Sequence, residues 1–368
     1  MPTPLEALSE HGQSPWIDFI ERRFVLDGAL ESLVAEGVRG VTSNPTIFGK
    51  AIAGDDAYDA QLAELAGDRL DPYDAFVELA AADIRDACDL LARTHRAERG
   101  GTRDGWVSLE VDPRLAHDAA ATATEALRLH GLVGRPNLMV KIPGTVEGLE
   151  AVEAVVALGI PVNVTLLFSL DRHRRAAEAY LRGLRRLYDT GGDLRRVASV
   201  ASFFVSRVDT EADRRIDELG GHDQLKGKLA IANAKLAYQS YLEAFSGEEW
   251  DELAAAGASP QRCLWASTST KNPAYRDVVY VEELIGPETV NTMPPETIRA
   301  FQDHGRVERT LDQNVADAQR TLDGLAAAGV DYTDVVETLE REGVQKFVDA
   351  FTELIGTVEA SLSGVASR

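Results

Sequence analysis

The sequence predicts an α/β fold, a parallel (β/α)8 barrel with additional C-terminal helices. Three observations point there. Eight short apolar runs alternate with helix-period stretches, which is the pattern of repeated strand–helix units. Neither a G-x-G-x-x-G turn after the first run nor a P-loop appears, which weakens the runner-up, an open doubly wound sheet. Finally, every run carries a polar group at or just after its end, and in such barrels that end is the catalytic face.

Taken in order, Ser14 to Ile20 reads as a first strand carrying one acid, Asp18, and Leu26 to Glu36 as a short helix ended by Gly37. Gly40 to Thr46 is a strand breaking into a polar turn, followed by helical patterns over Ile47–Leu65 and Pro72–Arg96 and a charged, Gly-rich loop from Arg99 to Asp104. Trp106 to Pro113 is the third strand, with Glu110 inside it, and Ala116 to His130 the next helix. The fourth strand, Pro136 to Pro143, holds Lys141 between Val140 and Ile142 in an apolar run bounded by prolines. Helix Val146–Leu158 leads to a fifth strand, Ile160 to Leu167, in which Asn163 and Thr165 share a face because they are two apart. Ser169 caps a helix to Tyr188, Val197 to Phe204 is the sixth strand, and a helical pair spans Val208 to Phe245. Cys263 to Ser267 and Glu288 to Pro294 complete the eight strands, and helices over Pro295–Phe301 and Val307–Leu325 precede a C-terminal pair from about Tyr332 to Leu362.

The bulk properties agree with one globular unit. At 368 residues, 45% hydrophobic and 27% charged, the chain has enough apolar material for a full core. No linker or low-complexity tract divides it, so residues 1–368 read as a single domain, with strands over about 15–292 and a helical extension over about 295–368. A net charge of −22 argues against nucleic-acid or anionic-membrane partners, which need basic surface. Cys88 and Cys263 look like buried small hydrophobes; no metal-ligand spacing or disulfide framework is present. Met1 to Gln13 lacks a signal pattern and no run of about 18 apolar residues occurs. The expectation is a cytoplasmic protein without metal or cofactor, as monomer or homodimer.

The polar residues at the strand ends define a chemistry. They are Asp18, Ser43 with Asn44, Glu110, Lys141, Asn163 with Thr165, Ser202 with Arg207, Ser267 with Ser269 and Lys271, and Thr292. A lysine inside an apolar strand either snorkels or sits in a low-dielectric site, where its amine becomes nucleophilic near neutral pH. Such an amine attacks a ketone to give an iminium, an electron sink that permits cleavage of the neighbouring C–C bond. Two separate carboxylates supply proton shuttles. Amides and hydroxyls suit a polyol, and Arg207 and Lys271 suit a phosphate.

Five ordered blocks carry a family likeness: Thr42-Ser43-Asn44-Pro45, Ser108-Leu109-Glu110-Val111-Asp112, Met139-Val140-Lys141-Ile142-Pro143, Asn163 through Ser169, and Ser202 through Asp209. Together they closely resemble transaldolase, and the length and the Lys-Ile-Pro-Gly-Thr run look like its actinobacterial-type subgroup. The likeness runs from about Trp16 to Asn291. It implies transfer of a dihydroxyacetone unit from sedoheptulose 7-phosphate to glyceraldehyde 3-phosphate in the non-oxidative pentose phosphate pathway. By resemblance, Lys141 is the Schiff-base lysine, Asp18 the acid/base in C–C cleavage, and Glu110 with Thr165 the proton shuttle through a water. Asn44 and Asn163, with Ser43 beside them, hold the dihydroxyacetone part. Ser202 binds a hydroxyl next to Phe204, and Arg207 binds the phosphate. The run Ser269-Thr270-Lys271-Asn272 stands where many members have Ser-Phe-Arg-Asn, so Lys271 keeps the charge without the bidentate fork. Ser206 stands where glycine is common.

Each residue also has a plain structural reading. Asp18 could pair with Arg22 or Arg23 at the surface, Asn44-Pro45 could be only a turn, and Arg207 could pair with Asp209 or Glu211. The sharpest rival makes Glu110 a structural partner of Lys141 with no chemistry. Two other functions remain open at this point: a fructose-6-phosphate aldolase-like lyase that releases free dihydroxyacetone, and a catalytically silent sugar-phosphate-binding barrel.

Overall fold

The computed structural model describes residues 2–97 and 104–366. Eight parallel strands close into a barrel in sequence order: β1 Gln13–Ile17, β2 Gly40–Val41, β3 Trp106–Glu110, β4 Leu138–Pro143, β5 Val162–Leu167, β6 Ser199–Phe204, β7 Gln261–Ala266 and β8 Thr289–Met293. The ring closes where β1 runs beside β8, with Gln13 opposite Thr289 and Ile17 opposite Met293. This is the TIM-barrel architecture that the alternation of apolar runs and helical patterns predicts.

Register decides which side chains meet. Glu110 on β3 lies opposite Lys141 on β4, and Lys141 opposite Asn163 on β5. The three therefore share one layer near the upper, C-terminal end of the barrel. β5 then bulges between Val164 and Leu167, with Leu166 at φ 60°. A branched side chain in that region of backbone is strained, and bulges of this kind re-aim side chains beside sites. Here the irregularity falls immediately after Thr165. β2 is short, and Gly40 in it permits close packing: a Cβ there would come within 2.5 Å of the Trp16 ring.

The lower end of the barrel is plugged. Arg262 donates to the Ser14 hydroxyl (2.6 Å) and to the Thr289 carbonyl (2.6 Å), and its guanidinium lies 3.4 Å from Asp104. Ser14 and Trp16 both donate to Asp104 (2.9 and 3.3 Å). Ser14, Asp104 and Arg262 are all buried, which for charged groups calls for this kind of mutual pairing. Of the expected loop from Arg99 to Asp104, only Asp104 falls within the described residues.

Several helices differ from expectation. The N-terminus forms a helix, Pro4–Glu10, opened by a capping box in which Thr3 and Glu6 satisfy each other's backbone N–H groups. The stretch around Leu26–Glu36 is two helices, Arg22–Leu26 and Ala29–Glu36, parted at Gly28 with φ 83°. The stretch 47–65 is likewise broken, into Pro45–Gly54 and Asp59–Gly67 around a 3-10 turn. The helix expected from Val307 begins at Val315, after Asn314 at φ 56°. Most consequential, the expected C-terminal pair is one continuous helix of 35 residues, Tyr332–Ala366.

That helix crosses the upper end of the barrel. Its buried stripe is Val336, Leu339, Phe347, Phe351, Leu354 and Val358, at helical spacing. It is tied down along its length. Tyr332 donates to Asn233 (2.7 Å), Glu340 pairs with Arg172 (2.9 Å), and Phe351 packs edge-on against Phe76 (5.7 Å) beneath the Arg114 guanidinium (5.1 Å). Gly343 lets it approach β5: a Cβ there would stand 3.2 Å from Phe168 and 3.3 Å from Leu166.

Candidate active site

The site is built on the ends of the strands. Lys141 is 5% exposed, and its Nζ donates to the Ser43 carbonyl at 2.9 Å. Glu110 Oε2 lies 3.2 Å from the same nitrogen, yet among the described residues neither Glu110 oxygen accepts a hydrogen bond. Burial pushes the Glu110 carboxyl up to about 7, with Lys141 opposing the rise and Asp18 adding to it. A carboxyl that changes protonation near neutral pH, paired with a lysine amine alongside, is equipped to pass protons. Thr165 Oγ1, on the next strand but one, is also buried without a hydrogen-bond partner among the described residues.

Asp18 follows β1 and is half-buried. It accepts a hydrogen bond from Thr42 (2.6 Å). Burial raises its pKa, against the pull of Lys141, Thr42 and Arg207. The surface pairing does not form. Arg22 bonds Asp83 (2.8 Å) and Arg23 bonds Asp55 (2.6 Å).

A polar chain runs from β3 to β6. Asn163 donates to Ser108 Oγ (3.1 Å), and its carbonyl oxygen accepts from Ser202 (2.6 Å). Ser43 donates to the Ser108 carbonyl (2.7 Å), while Asn44 caps the helix Pro45–Gly54 through Ile47 N–H (3.1 Å). Asn44 is thus a helix cap whose residue also faces the cavity.

Arg207 lies in the first turn of the helix Ser206–Leu219. Its guanidinium lies 5.0 Å from the centre of the Phe204 ring, and Nη1 is buried with no hydrogen-bond partner among the described residues. Burial lowers its pKa, Asp18 acting the other way. It does not pair with its helix neighbours. Asp209 is committed to Ala230 N–H and Tyr280, and Glu211 to Arg214 and Arg215. A guanidinium held partly out of water with donors to spare is suited to an anionic ligand. On the far lip, Lys271 is exposed and donates to Ser269 Oγ (2.8 Å).

These groups converge on one cavity of about 790 Å³. Asp18, Asn44, Lys141, Thr165, Ser202, Phe204, Arg207, Ser269 and Lys271 line it. Ser43, Glu110 and Asn163 are not on its wall; they stand one layer behind, against Lys141, Ser108 and Ser202. Among the lining residues not singled out from the sequence are Lys50, Glu296, Arg299 and Phe347. The first three sit on helices, where a charged residue reads as solvated surface. Phe347 belongs to an ordinary apolar stripe, and no pattern in the sequence marks it as facing the cavity.

Comparison with known proteins completes the picture. Residues 15–358 match the family model described as transaldolase/fructose-6-phosphate aldolase. The chain is 53% identical over 365 residues to a transaldolase of Acidothermus cellulolyticus, covering 98% of each chain. It is 51% identical over 366 residues to a transaldolase of Frankia alni, again covering 98% of each. With a transaldolase of Thermobifida fusca the identity is 50% over 367 residues and 99% of each chain.

Proposed function

The chain belongs to the transaldolase/fructose-6-phosphate aldolase family, and from that premise we propose that it is a transaldolase acting through Lys141. It takes a dihydroxyacetone unit from a ketose phosphate, sedoheptulose 7-phosphate, and gives it to glyceraldehyde 3-phosphate. The products are erythrose 4-phosphate and fructose 6-phosphate. The observation that carries the reading is the buried Lys141 amine paired at 3.2 Å with the Glu110 carboxyl. We further infer a cytoplasmic setting; no described helix is long and apolar enough to cross a membrane.

In this reading the Lys141 amine attacks the ketone carbon, and the carbinolamine loses water to give the iminium. Glu110, with Thr165, delivers and recovers the protons of that dehydration. Asp18 takes the proton from the hydroxyl beyond the scissile bond. The C–C pair then flows into the iminium, the aldose phosphate departs, and an enamine remains on Lys141. The acceptor aldehyde enters, the enamine carbon attacks it, and Asp18 returns the proton to the new alkoxide; water then adds to the re-formed iminium carbon, the C–N bond breaks, and the new ketose phosphate leaves Lys141 as the amine. Asn44 and Ser202, on the cavity wall, hold the three-carbon unit beside Phe204, while Asn163 and Ser43, one layer behind, position Ser202 and Lys141. Arg207 meets the phosphate, with Ser269 and Lys271 supporting it from the rim.

The test is borohydride reduction in the presence of fructose 6-phosphate, followed by peptide mass mapping. A three-carbon adduct on Lys141 is expected, together with loss of turnover and of labelling in Lys141→Ala. An unlabelled Lys141 in active enzyme overturns the assignment. Rapid release of free dihydroxyacetone without an acceptor would make the protein a lyase instead.

A further inference from the structure

We propose that Phe347, on the C-terminal helix, is a positioning residue that walls the covalent intermediate off from water and so keeps the reaction a transfer. The inference rests on the Lys141 Schiff-base reading. Phe347 comes from no barrel element, yet its ring centre lies 5.7 Å from Lys141 Nζ and lines the cavity. Two directions around that nitrogen are polar, toward the Ser43 carbonyl and toward Glu110. The ring supplies a third, apolar side, and it is 8% exposed. It is held there firmly, between Gly343 one turn earlier, packed on β5, and Phe351 one turn later, packed on Phe76.

The chemistry gives that side a task. After the first aldehyde leaves, the enamine waits for an acceptor. If a solvent proton reaches its carbon, the iminium re-forms. Water can then add to the iminium carbon, the C–N bond breaks, and free dihydroxyacetone leaves Lys141 as the amine. The net change consumes one water and no other reagent. An aromatic wall on this side of the nitrogen keeps solvent from the enamine while no acceptor is bound, and leaves the water of Schiff-base formation and product release to the Glu110 and Thr165 side.

The test compares full-length wild type, Phe347→Leu and Phe347→Ala. Two rates are measured for each: release of free dihydroxyacetone from fructose 6-phosphate alone, and transfer from fructose 6-phosphate to erythrose 4-phosphate. Phe347→Ala should raise the ratio of release to transfer about tenfold or more, with borohydride still labelling Lys141. Phe347→Leu, which keeps apolar volume but loses the ring face, should raise it about threefold, and serves alone if the alanine variant does not fold. A merely structural defect lowers both rates and leaves the ratio where it was. An unchanged ratio in a folded, labelled variant refutes the inference. Absence of the adduct in wild type is a different result and removes the Schiff-base reading itself.

Discussion

Replacing Glu110 by glutamine separates a proton shuttle from a structural ion-pair partner, because the two roles predict stability changes of opposite sign. Burial lifts the Glu110 carboxyl from its ordinary 4.5 to about 7. The folded state therefore prefers the protonated acid. Its favourable contribution is fully present below pH 4.5 and is lost as pH rises through 7. At about 1.4 kcal/mol per pH unit over that interval, the ionised form destabilises the fold by roughly 3 kcal/mol. Glutamine mimics the protonated acid, so Glu110→Gln should match wild type near pH 4.5 and exceed it by about 3 kcal/mol at pH 8. The same change should lower kcat/KM about 10²- to 10⁴-fold, the usual range for a lost general acid–base. Urea unfolding of both proteins at half-unit steps from pH 4.5 to 8 measures the first effect, and steady-state transfer the second. A buried structural pair predicts instead a loss of about 3–5 kcal/mol when one partner is removed. A less stable Glu110→Gln at pH 8 would refute the reasoning.

The remaining predictions concern the anion end and the crossing helix. Arg207→Ala should raise KM for phosphorylated substrates about 10- to 100-fold, the worth of a charge-assisted hydrogen bond in a partly buried site, with a salt dependence that initial-rate series at two ionic strengths would reveal. Lys271→Ala, at an exposed position, should change the same KM less than about fivefold, and equal effects from the two would reverse their ranking. Gly343→Val should cost about 1–3 kcal/mol through crowding against Phe168 and Leu166. It should also lower turnover, because Phe347 lies one turn away; chemical denaturation with parallel rate assays checks both, and unaltered stability would remove Gly343 as the packing point.

Most of the barrel was legible because its signals are local. Each strand is a short apolar run, and the polar group ending it is a departure from that run that one sequence displays. Lys141 stood out among Met139, Val140 and Ile142 in this way, as did Glu110 after Leu109. The helices were harder where one residue decides a boundary. Gly28 parts two helices by taking a left-handed conformation, whereas Gly343 sits inside one continuous helix and serves close packing. The same residue type reads alike in both places, and only the tertiary neighbour tells them apart. The opening helix carried its own signal, Thr3 with Glu6 three residues on, but seven residues give little periodicity to support it. Phe347 was beyond reach for a different reason. Phe347 lies 206 residues beyond Lys141 (347 − 141), so its place there depends on the path of a distant helix that no local rule fixes.

The plug at the lower end of the barrel governs traffic. With Arg262, Asp104 and Ser14 closing that end, every molecule enters and leaves past the rim that carries Lys271. On the proposed mechanism, departing and arriving aldehydes use one doorway, and an Arg207 berth for their phosphates would serve both in turn. The first must vacate before the second can settle. On that mechanism the released aldehyde and the acceptor compete for the same enamine form, so build-up of the aldehyde just set free is expected to slow transfer.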